Sequence, residues 1–145
     1  MAEHATIARI GYLSQFQRGN GDGPPETFTN VNEVISFEPP DAQADDIEVT
    51  HFESPGGYKE YVRGLLDGGE VSFSVNWDPA NRASHAQIRT DKISGLTHNY
   101  RFVLPGSIET ITFPGYVKGL KRNVEPNTQI TADVTLKVCG APTEV

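Results

Sequence analysis

Residues 46–78 read DIEVTHFESPGGYKEYVRGLLDGGEVSFSVNWD, and this segment carries the clearest structural pattern in the chain. Its last part alternates between apolar and polar residues, which predicts a β-strand over Glu70–Asp78 with one buried face and one solvated face. The apolar phase includes Trp77, so we expect that indole to pack in the core. The solvated face carries hydroxyls, an amide and carboxylates, and it carries no cation.

The first part of the same stretch predicts another strand, over Ile47–Phe52. Ser54-Pro55-Gly56-Gly57 ends this strand, because glycine and proline interrupt regular structure. Residues Tyr58–Arg63 favour one or two turns of helix, and Asp67-Gly68-Gly69 turns the chain into the alternating strand. The expected element is therefore a pair of strands with a structured insertion, Ser54–Gly69.

Asp78-Pro79, directly after the alternating strand, is typical of a helix start. The sequence predicts one helix that begins at Pro79, ends near Thr90 or Lys92, and is stopped by Gly95. The residues expected to point inward from this helix are Ala80, Ala83, Gln87 and Ile88.

Short strand-like runs separated by turn residues make up most of the remaining chain. The expected strands lie near Ile7–Leu13 and over Thr27–Glu38, Asn99–Leu104, Ile108–Phe113, Gly115–Lys121 and Gln129–Val138. Arg18–Pro25 is an expected loop, Asp41–Asp46 an expected polar link, and Pro114-Gly115 an expected bend or bulge. This order predicts a mainly β protein, a β-sandwich or barrel of packed antiparallel sheets with one α-helix, in a single domain of residues 1–145.

Composition narrows the classes of function. The chain has 145 residues, and its 14 glycines and 10 prolines fit many turns between short strands. A formal net charge of −7 argues against a duplex-binding protein, which needs a basic surface. We see neither a secretory signal nor an apolar run of membrane-spanning length, so the expected protein is soluble and made in the cytoplasm.

No residue pattern indicates catalysis or cofactor binding. The histidines at positions 4, 51, 85 and 98 stand at least thirteen residues apart and match no metal-ligand spacing. The single cysteine, Cys139, follows an apolar strand and is expected to be a small buried side chain in a protein that folds in a reducing compartment. The sequence therefore predicts no enzyme, no catalytic residues, no cofactor and no metal.

Several local patterns follow one another in a fixed order along the chain. Thr50 and Ser54 flank the first strand end, and Lys59-Glu60-Tyr61, Gly64–Glu70 (GLLDGGE) and Asn76-Trp77-Asp78-Pro79 follow. FTNVNEVISFEPP (residues 28–40) precedes this block, and FPGYVKGLKRNVEPNTQITADVTLKVCGAPT (residues 113–143) follows it. With this ordered set, over nearly the full chain, the sequence resembles the tail tube (major tail) proteins of long flexible-tailed bacteriophages.

The resemblance implies a fold shared with the tube protein of type VI secretion. It implies a structural subunit that forms stacked hexameric rings, whose strands join into one inner barrel that conducts the genome into the host. The implied partners are further copies of the chain and the tape measure, tail tip and tail terminator proteins, with transient passage of DNA, no specific DNA binding and no membrane. The implied location is the virion tail, assembled in the cytoplasm of the host bacterium.

A channel for DNA must repel phosphate, and the solvated strand face has carboxylates and hydroxyls for that purpose. The candidate lumen-facing residues are Glu48, Thr50, Glu70, Ser72, Ser74 and Asn76. The candidate contacts between stacked rings are Gly19, Asp22, Pro24, Tyr58, Lys59, Glu60 and Arg63. Each candidate lumen residue also fits an ordinary solvated sheet face. A type VI tube protein and a β-sandwich carbohydrate- or receptor-binding module remain the alternative functions.

Overall fold

The structure, a computed structural model, describes residues 10–21 and 25–145. Within these ranges it holds one α-helix and ten strands. The bounds are β1 Gln15–Gly19, β2 Phe28–Asn30, β3 Val34–Glu38, β4 Gln43–Glu48, β5 Tyr61–Asp67, β6 Glu70–Asn76, α1 Ala83–Ser94, β7 His98–Val103, β8 Thr110–Asn123, β9 Thr131–Val138 and β10 Thr143–Glu144. The predicted mainly β fold with one helix is confirmed.

Eight of the strands form one antiparallel sheet, and β4 and β5 form a separate two-stranded sheet. The order in the large sheet is β2-β1-β7-β8-β9-β6-β3, with β10 paired to β8. Its two edge strands, β2 and β3, are neighbours in the chain and are joined by residues 31–33. Val31 N donates to Phe16 O in β1 at 2.8 Å, and Asn76 N in β6 donates to Glu33 O at 3.0 Å. The sheet is therefore curled until its edges meet at this seam.

The long strand β8 belongs to both halves of the curled sheet. Its first part, up to Gly115, pairs with β7, and from Gly115 onward it pairs with β9. The ladder runs through Pro114, and the register shift lies between Val117 and Gly119, so the bend predicted at Pro114-Gly115 is wrong in position. A Cβ on Gly115 would lie 2.8 Å from Lys137 O, so glycine there permits the close approach of β9.

Aromatic rings fill the space between the two halves. The Phe16 and Phe73 ring centroids, from β1 and β6, are 4.3 Å apart, and those of Phe37 and Phe102, from β3 and β7, are 4.5 Å apart. The apolar phase of the alternating strand is buried as predicted at Val71, Phe73 and Val75. Trp77 is partly buried and packs against this core. The packing of rings from opposite halves holds the curled sheet together.

The insertion predicted as a short helix is a strand instead. Residues Tyr61–Asp67 pair with β4, with a register shift between Ala44 and Asp46, and the helical turn that precedes them covers only Pro55–Gly57. A six-residue helix without tertiary support is unstable in water, whereas pairing with β4 satisfies the backbone directly. Strand β4 begins inside the predicted polar link and ends at Glu48. A turn follows, which is closed by a hydrogen bond from Ser54 N to His51 O at 3.0 Å.

Other strand predictions are wrong at their ends. Thr27–Glu38 is two strands divided by the seam. Residues 7–9 lie outside the described ranges, and Ile10–Leu13 is not a strand, because Gly11 O accepts hydrogen bonds from Ser14 and forms a turn. The strand predicted over Gln129–Val138 starts at Thr131, and Ile130 is 48% exposed. Cys139 is exposed, not buried, since it lies just beyond the end of β9.

The helix begins four residues later than predicted and presents a polar face to the sheet. Asp78 Oδ2 accepts from Asn81 Nδ2 at 2.8 Å, which forms a turn before the helix instead of a cap on it. Gly95 ends the helix as predicted, in the left-handed conformation with φ 69°. The buried residues are Ser84, His85, Ile88 and Asp91, whereas Ala80, Ala83 and Gln87 are exposed.

Candidate functional site: a polar half-sheet and an exposed hairpin

One half of the large sheet combines an apolar inner face with a polar outer face. We call it the polar half-sheet, and it consists of β3, β6, β9 and residues 116–123 of β8. Its outer face carries Glu70, Ser72, Ser74 and Asn76 from β6, directly opposite Lys137, Thr135, Asp133 and Thr131 from β9. The structure thus brings four of the six candidate lumen residues onto one face.

Asp133 lies at the centre of this face and joins three strands. Its Oδ1 accepts from Ser74 Oγ at 2.6 Å, and its Oδ2 accepts from Asn123 Nδ2 at 3.1 Å. These two hydrogen bonds, Ser74 first, lower the pKa of Asp133, and the nearby Lys121 adds to the effect. The carboxylate is therefore fixed as an anion in the middle of the face.

Charged groups gather at one end of the polar half-sheet. Lys118 Nζ reaches Glu70 Oε1, and Lys137 Nζ lies 3.2 Å from Asp67 Oδ1. The Lys118 contact lowers the pKa of Glu70, while the Gly69 amide and then Lys137 lower the pKa of Asp67. The alternating strand itself carries no cation on this face, and the lysines come from its neighbours in the sheet, β8 and β9.

The polar half-sheet has two open edges within the described residues. Strand β3 pairs with β6 alone, and residues 116–123 of β8 pair with β9 alone. Open edges expose backbone donors and acceptors that can pair with another chain. These two edges stand on opposite sides of the same four strands.

The second feature is the β4–β5 hairpin, which forms its own two-stranded sheet. Its apolar side chains are largely exposed: Phe52, Tyr58, Tyr61, Leu65 and Leu66 are each more than half exposed. An isolated two-stranded hairpin is marginally stable in water, and a group of exposed apolar side chains marks a contact surface. The hairpin therefore has the properties of a segment that packs against another molecule.

Polar contacts stabilise the tip of this hairpin. Thr50 Oγ1 accepts from Glu60 N at 2.9 Å, and Ser54 Oγ donates to Glu60 Oε2 at 2.7 Å. His51 Nε2 lies 3.2 Å from the same Glu60 carboxylate oxygen. Two candidate lumen residues, Glu48 and Thr50, belong to this hairpin and not to the polar half-sheet.

The candidate ring-to-ring residues divide between two regions. Tyr58, Lys59, Glu60 and Arg63 lie on the hairpin, whereas Gly19 ends β1. Asp22 and Pro24 lie outside the described residues. The structure thus brings the four hairpin candidates together next to the exposed apolar side chains.

A buried polar cluster connects the helix to the sheet, and no sequence pattern indicated it. Arg18 of β1 contacts Asp91 of α1 through Nε at 2.6 Å and Nη2 at 2.7 Å. His98 Nε2 is 3.3 Å from Asp91 Oδ1, and the Tyr100 hydroxyl donates to Asp91 Oδ2 at 3.4 Å. Burial, followed by Asp91, raises the pKa of Tyr100, and the hydrogen bond to Asp91 raises that of Arg18.

A second buried contact fixes the seam. Asn32 N donates to Ser84 Oγ at 3.2 Å, and Ser84 Oγ donates to Asn32 Oδ1 at 3.0 Å. His85 accepts from Asp78 N at Nδ1, so its proton is on Nε2 and is donated to Asn32 O at 2.7 Å. The imidazole also stacks on Trp77, with centroids 5.4 Å apart.

No group of three or more His, Cys, Asp or Glu side chains in the described residues is arranged to hold a metal ion. Over the same residues, no helix has the length and apolar character needed to cross a membrane.

Comparison with known proteins gives one family and a set of similar folds. The profile of a family described as "Lambda phage tail tube protein, TTP" matches residues 16–144. No curated protein sequence matches the chain significantly.

Three solved structures illustrate the similar folds. The tail of an empty gene transfer agent particle, refined with C6 symmetry, has a TM-score of 0.75 at 16% identity and covers 94% of this chain and 98% of that one. The sheath-tube complex of an extracellular contractile injection system has a TM-score of 0.68 at 12% identity, covering 96% and 92%. The SPP1 tail tube has a TM-score of 0.68 at 9% identity, covering 93% and 77%. At these identities the likeness concerns the fold alone.

Proposed function

The chain belongs to the lambda phage tail tube protein family and is a structural, non-enzymatic subunit of a phage tail, and from this premise we propose that it forms stacked hexameric rings whose lumen conducts the genome into the host. Each copy contributes one tail tube domain. The family match over residues 16–144 favours this function over a type VI tube protein and over a carbohydrate- or receptor-binding module.

The observation that carries the proposal is the polar half-sheet with its two open edges. In the proposed ring, strand β3 of one copy pairs with residues 116–123 of a neighbour, and this pairing joins the half-sheets edge to edge. Six copies of four strands make 24 strands per ring; the copy number of six is taken from the gene transfer agent tail, which was refined with C6 symmetry. At a spacing of about 4.8 Å, such a ring has a backbone diameter of at least about 37 Å. Barrels of about 16–18 strands already enclose an aqueous channel.

In this arrangement the outer face of the polar half-sheet lines the channel. Glu70, Ser72, Ser74 and Asn76 then face the lumen, while the alternate residues of β6 stay in the core. Hydroxyls and fixed carboxylates offer phosphate little to bind, which suits a channel that DNA must leave quickly. Each side chain recurs six times in every ring.

The hairpin supplies the contact between rings. Its exposed apolar side chains need a cover, and stacking places the hairpin of one ring on the next. We assign Tyr58, Lys59, Glu60 and Arg63 to this contact. Glu48 and Thr50 lie on the same hairpin, so we assign them to the contact between rings and not to the lumen. Gly19 is assigned to the same contact from the end of β1.

The remaining partners follow from the position of a tube in a tail. The tube encloses a tape measure protein, starts from a tail tip and is closed by a terminator. Assembly takes place in the cytoplasm of the host bacterium, before the virion is released.

Electron microscopy of the purified protein, alone and with tail tip proteins, tests the proposal. We expect rings or tubes with a central hole and six-fold symmetry, and a map that shows β6 on the channel wall. Particles that stay monomeric at high concentration and in the presence of the tip proteins would contradict it, as would a tube whose wall is built from β1 and β7.

A further inference from the structure

Every lysine on the polar half-sheet lies beside a carboxylate. Within the four strands as described, the lysines are Lys118, Lys121 and Lys137. Lys118 contacts Glu70, Lys137 contacts Asp67, and Lys121 is the register partner of Asp133. The pairing is one to one, and it includes lysines from two different strands.

Both ion pairs join residues that are distant in the chain. Lys118 stands at the register shift of β8, and its ammonium crosses β9 to reach Glu70 on β6. Asp67 is fixed by its own neighbour, since its Oδ1 also accepts from Gly69 N at 2.9 Å. The two lysine side chains are 55% and 32% exposed, so both ammonium groups would be open to solvent without their partners.

We propose that Asp67, Glu70 and Asp133 act as fixed counterions that keep the lumen lysines from binding the phosphates of passing DNA. This inference rests on the proposed function, because it requires the polar half-sheet to face the channel. The negative net charge of the chain gives no role to individual carboxylates, whereas this inference gives these three the role of neutralising particular lysines. Glu70 and Asp67 each hold a particular lysine at contact distance, and Asp133 stands opposite Lys121 in the strand register.

Repetition makes the loss of one carboxylate large. Glu70→Gln keeps the size of the side chain and one carbonyl oxygen, but it removes the charge that faces Lys118. Six copies then place a ring of six uncompensated ammonium groups in the channel, repeated along the tube. Binding of ammonium groups to phosphates weakens as the salt concentration rises. The logarithm of the binding constant falls by about 0.9 for each tenfold rise in salt and each phosphate held.

The test compares particles that carry E70Q, E70Q/K118Q and E33Q tube subunits. Glu33 forms an exposed pair with Arg82 at 3.5 Å, near the helix, so E33Q is a matched removal of a paired carboxylate elsewhere. Ejection of DNA is followed at two salt concentrations that differ tenfold. We expect E70Q particles to eject DNA more slowly than wild-type particles at low salt and to recover the wild-type rate at high salt. For one phosphate held, the tenfold rise in salt weakens the binding about eightfold.

The double variant decides the cause. If Lys118 is the group that holds DNA, E70Q/K118Q returns to the wild-type rate at both salt concentrations, and E33Q never departs from it. E70Q that ejects at the wild-type rate in low salt overturns the inference, as does a double variant that stays slow. A map of the E70Q tube distinguishes a failure of this inference from a failure of the proposed function. Residue 70 on the channel wall leaves the proposed function intact, whereas residue 70 elsewhere removes both.

Discussion

Arg18 and Asp91 form a two-point ion pair that joins β1 to the helix, with both nitrogen–oxygen distances below 2.8 Å. The carboxylate side chain is 3% exposed and the guanidinium side chain 15%. His98 and Tyr100 contact the same carboxylate. One buried anion thus connects the helix to two strands of the sheet.

Asp91→Asn should destabilise the protein by about 3 kcal/mol, because it leaves a buried guanidinium without its counterion. Urea unfolding of the free subunit measures the change. Glu33→Gln, which removes a carboxylate from an exposed pair, should cost less than about 1 kcal/mol. Similar losses for the two variants would show that the Arg18 pair contributes no more than a surface pair.

Ser84→Ala should cost about 1–3 kcal/mol, because it leaves the backbone N–H and side-chain oxygen of Asn32 without this partner in a part-buried site. Thr90→Ala on the same helix is the matched control. Thr90 is exposed and donates only to Ala86 O, so its loss should change stability by no more than about 0.5 kcal/mol. Thermal unfolding of both variants gives the comparison. Equal midpoints would mean that the Ser84 hydroxyl does not stabilise the seam.

The strands could be predicted wherever alternation was strong, and the polar contacts could not. The two-residue alternation alone predicts the buried face at Val71, Phe73 and Val75, and it does the same at Val134 and Leu136. The helix carries no such signal, because three of its four buried residues are polar and each is satisfied by a residue distant in the chain. Asp91 meets Arg18 across 73 positions, a distance that no local pattern spans.

For the same reason, only part of the candidate site could be predicted. The outer face of β6 follows from its alternation, whereas Lys118 and Lys137 arrive on that face from strands placed beside it by the sheet order. The hairpin was missed because Tyr58–Arg63 has helical spacing locally, and only the partner strand β4 determines its structure. Pairing between distant strands is the physical information that a single local pattern lacks.

Ser74→Ala should raise the pKa of Asp133 toward its ordinary value, because the Ser74 hydroxyl is the main cause of the lowered pKa. The lowered pKa means that Asp133 stabilises the fold above the unfolded value of about 3.9, and that this contribution is lost as the pH falls through the lower folded value. Carbon-detected NMR titration of the carboxyl group measures the shift. Ser72→Ala, on the same face two residues away, should leave the titration of Asp133 unchanged. A titration unaffected by Ser74→Ala would contradict the hydrogen bond.

The hairpin makes the sharpest prediction about assembly. Leu65 is 88% exposed, so Leu65→Ser should change the stability of the free subunit by no more than about 0.5 kcal/mol. If stacking buries this side chain, its loss removes about 1.5–3 kcal/mol per contact. The critical concentration for tube formation should then rise about tenfold or more. Ile93→Ser is the control, since Ile93 is 82% exposed on the helix.

Sedimentation of tubes across a concentration series measures both variants, and hydrogen exchange reports on the hairpin itself. The amides of β4 and β5 should gain protection on assembly in the wild-type protein, because a contact that covers an exposed hairpin suppresses its opening. Leu65→Ser should assemble only at higher concentration, while Ile93→Ser follows the wild type. If Ile93→Ser raises the critical concentration and Leu65→Ser does not, the helix and not the hairpin forms the contact between rings. Equal protection of the hairpin in free and assembled protein would show that the hairpin is not covered on assembly.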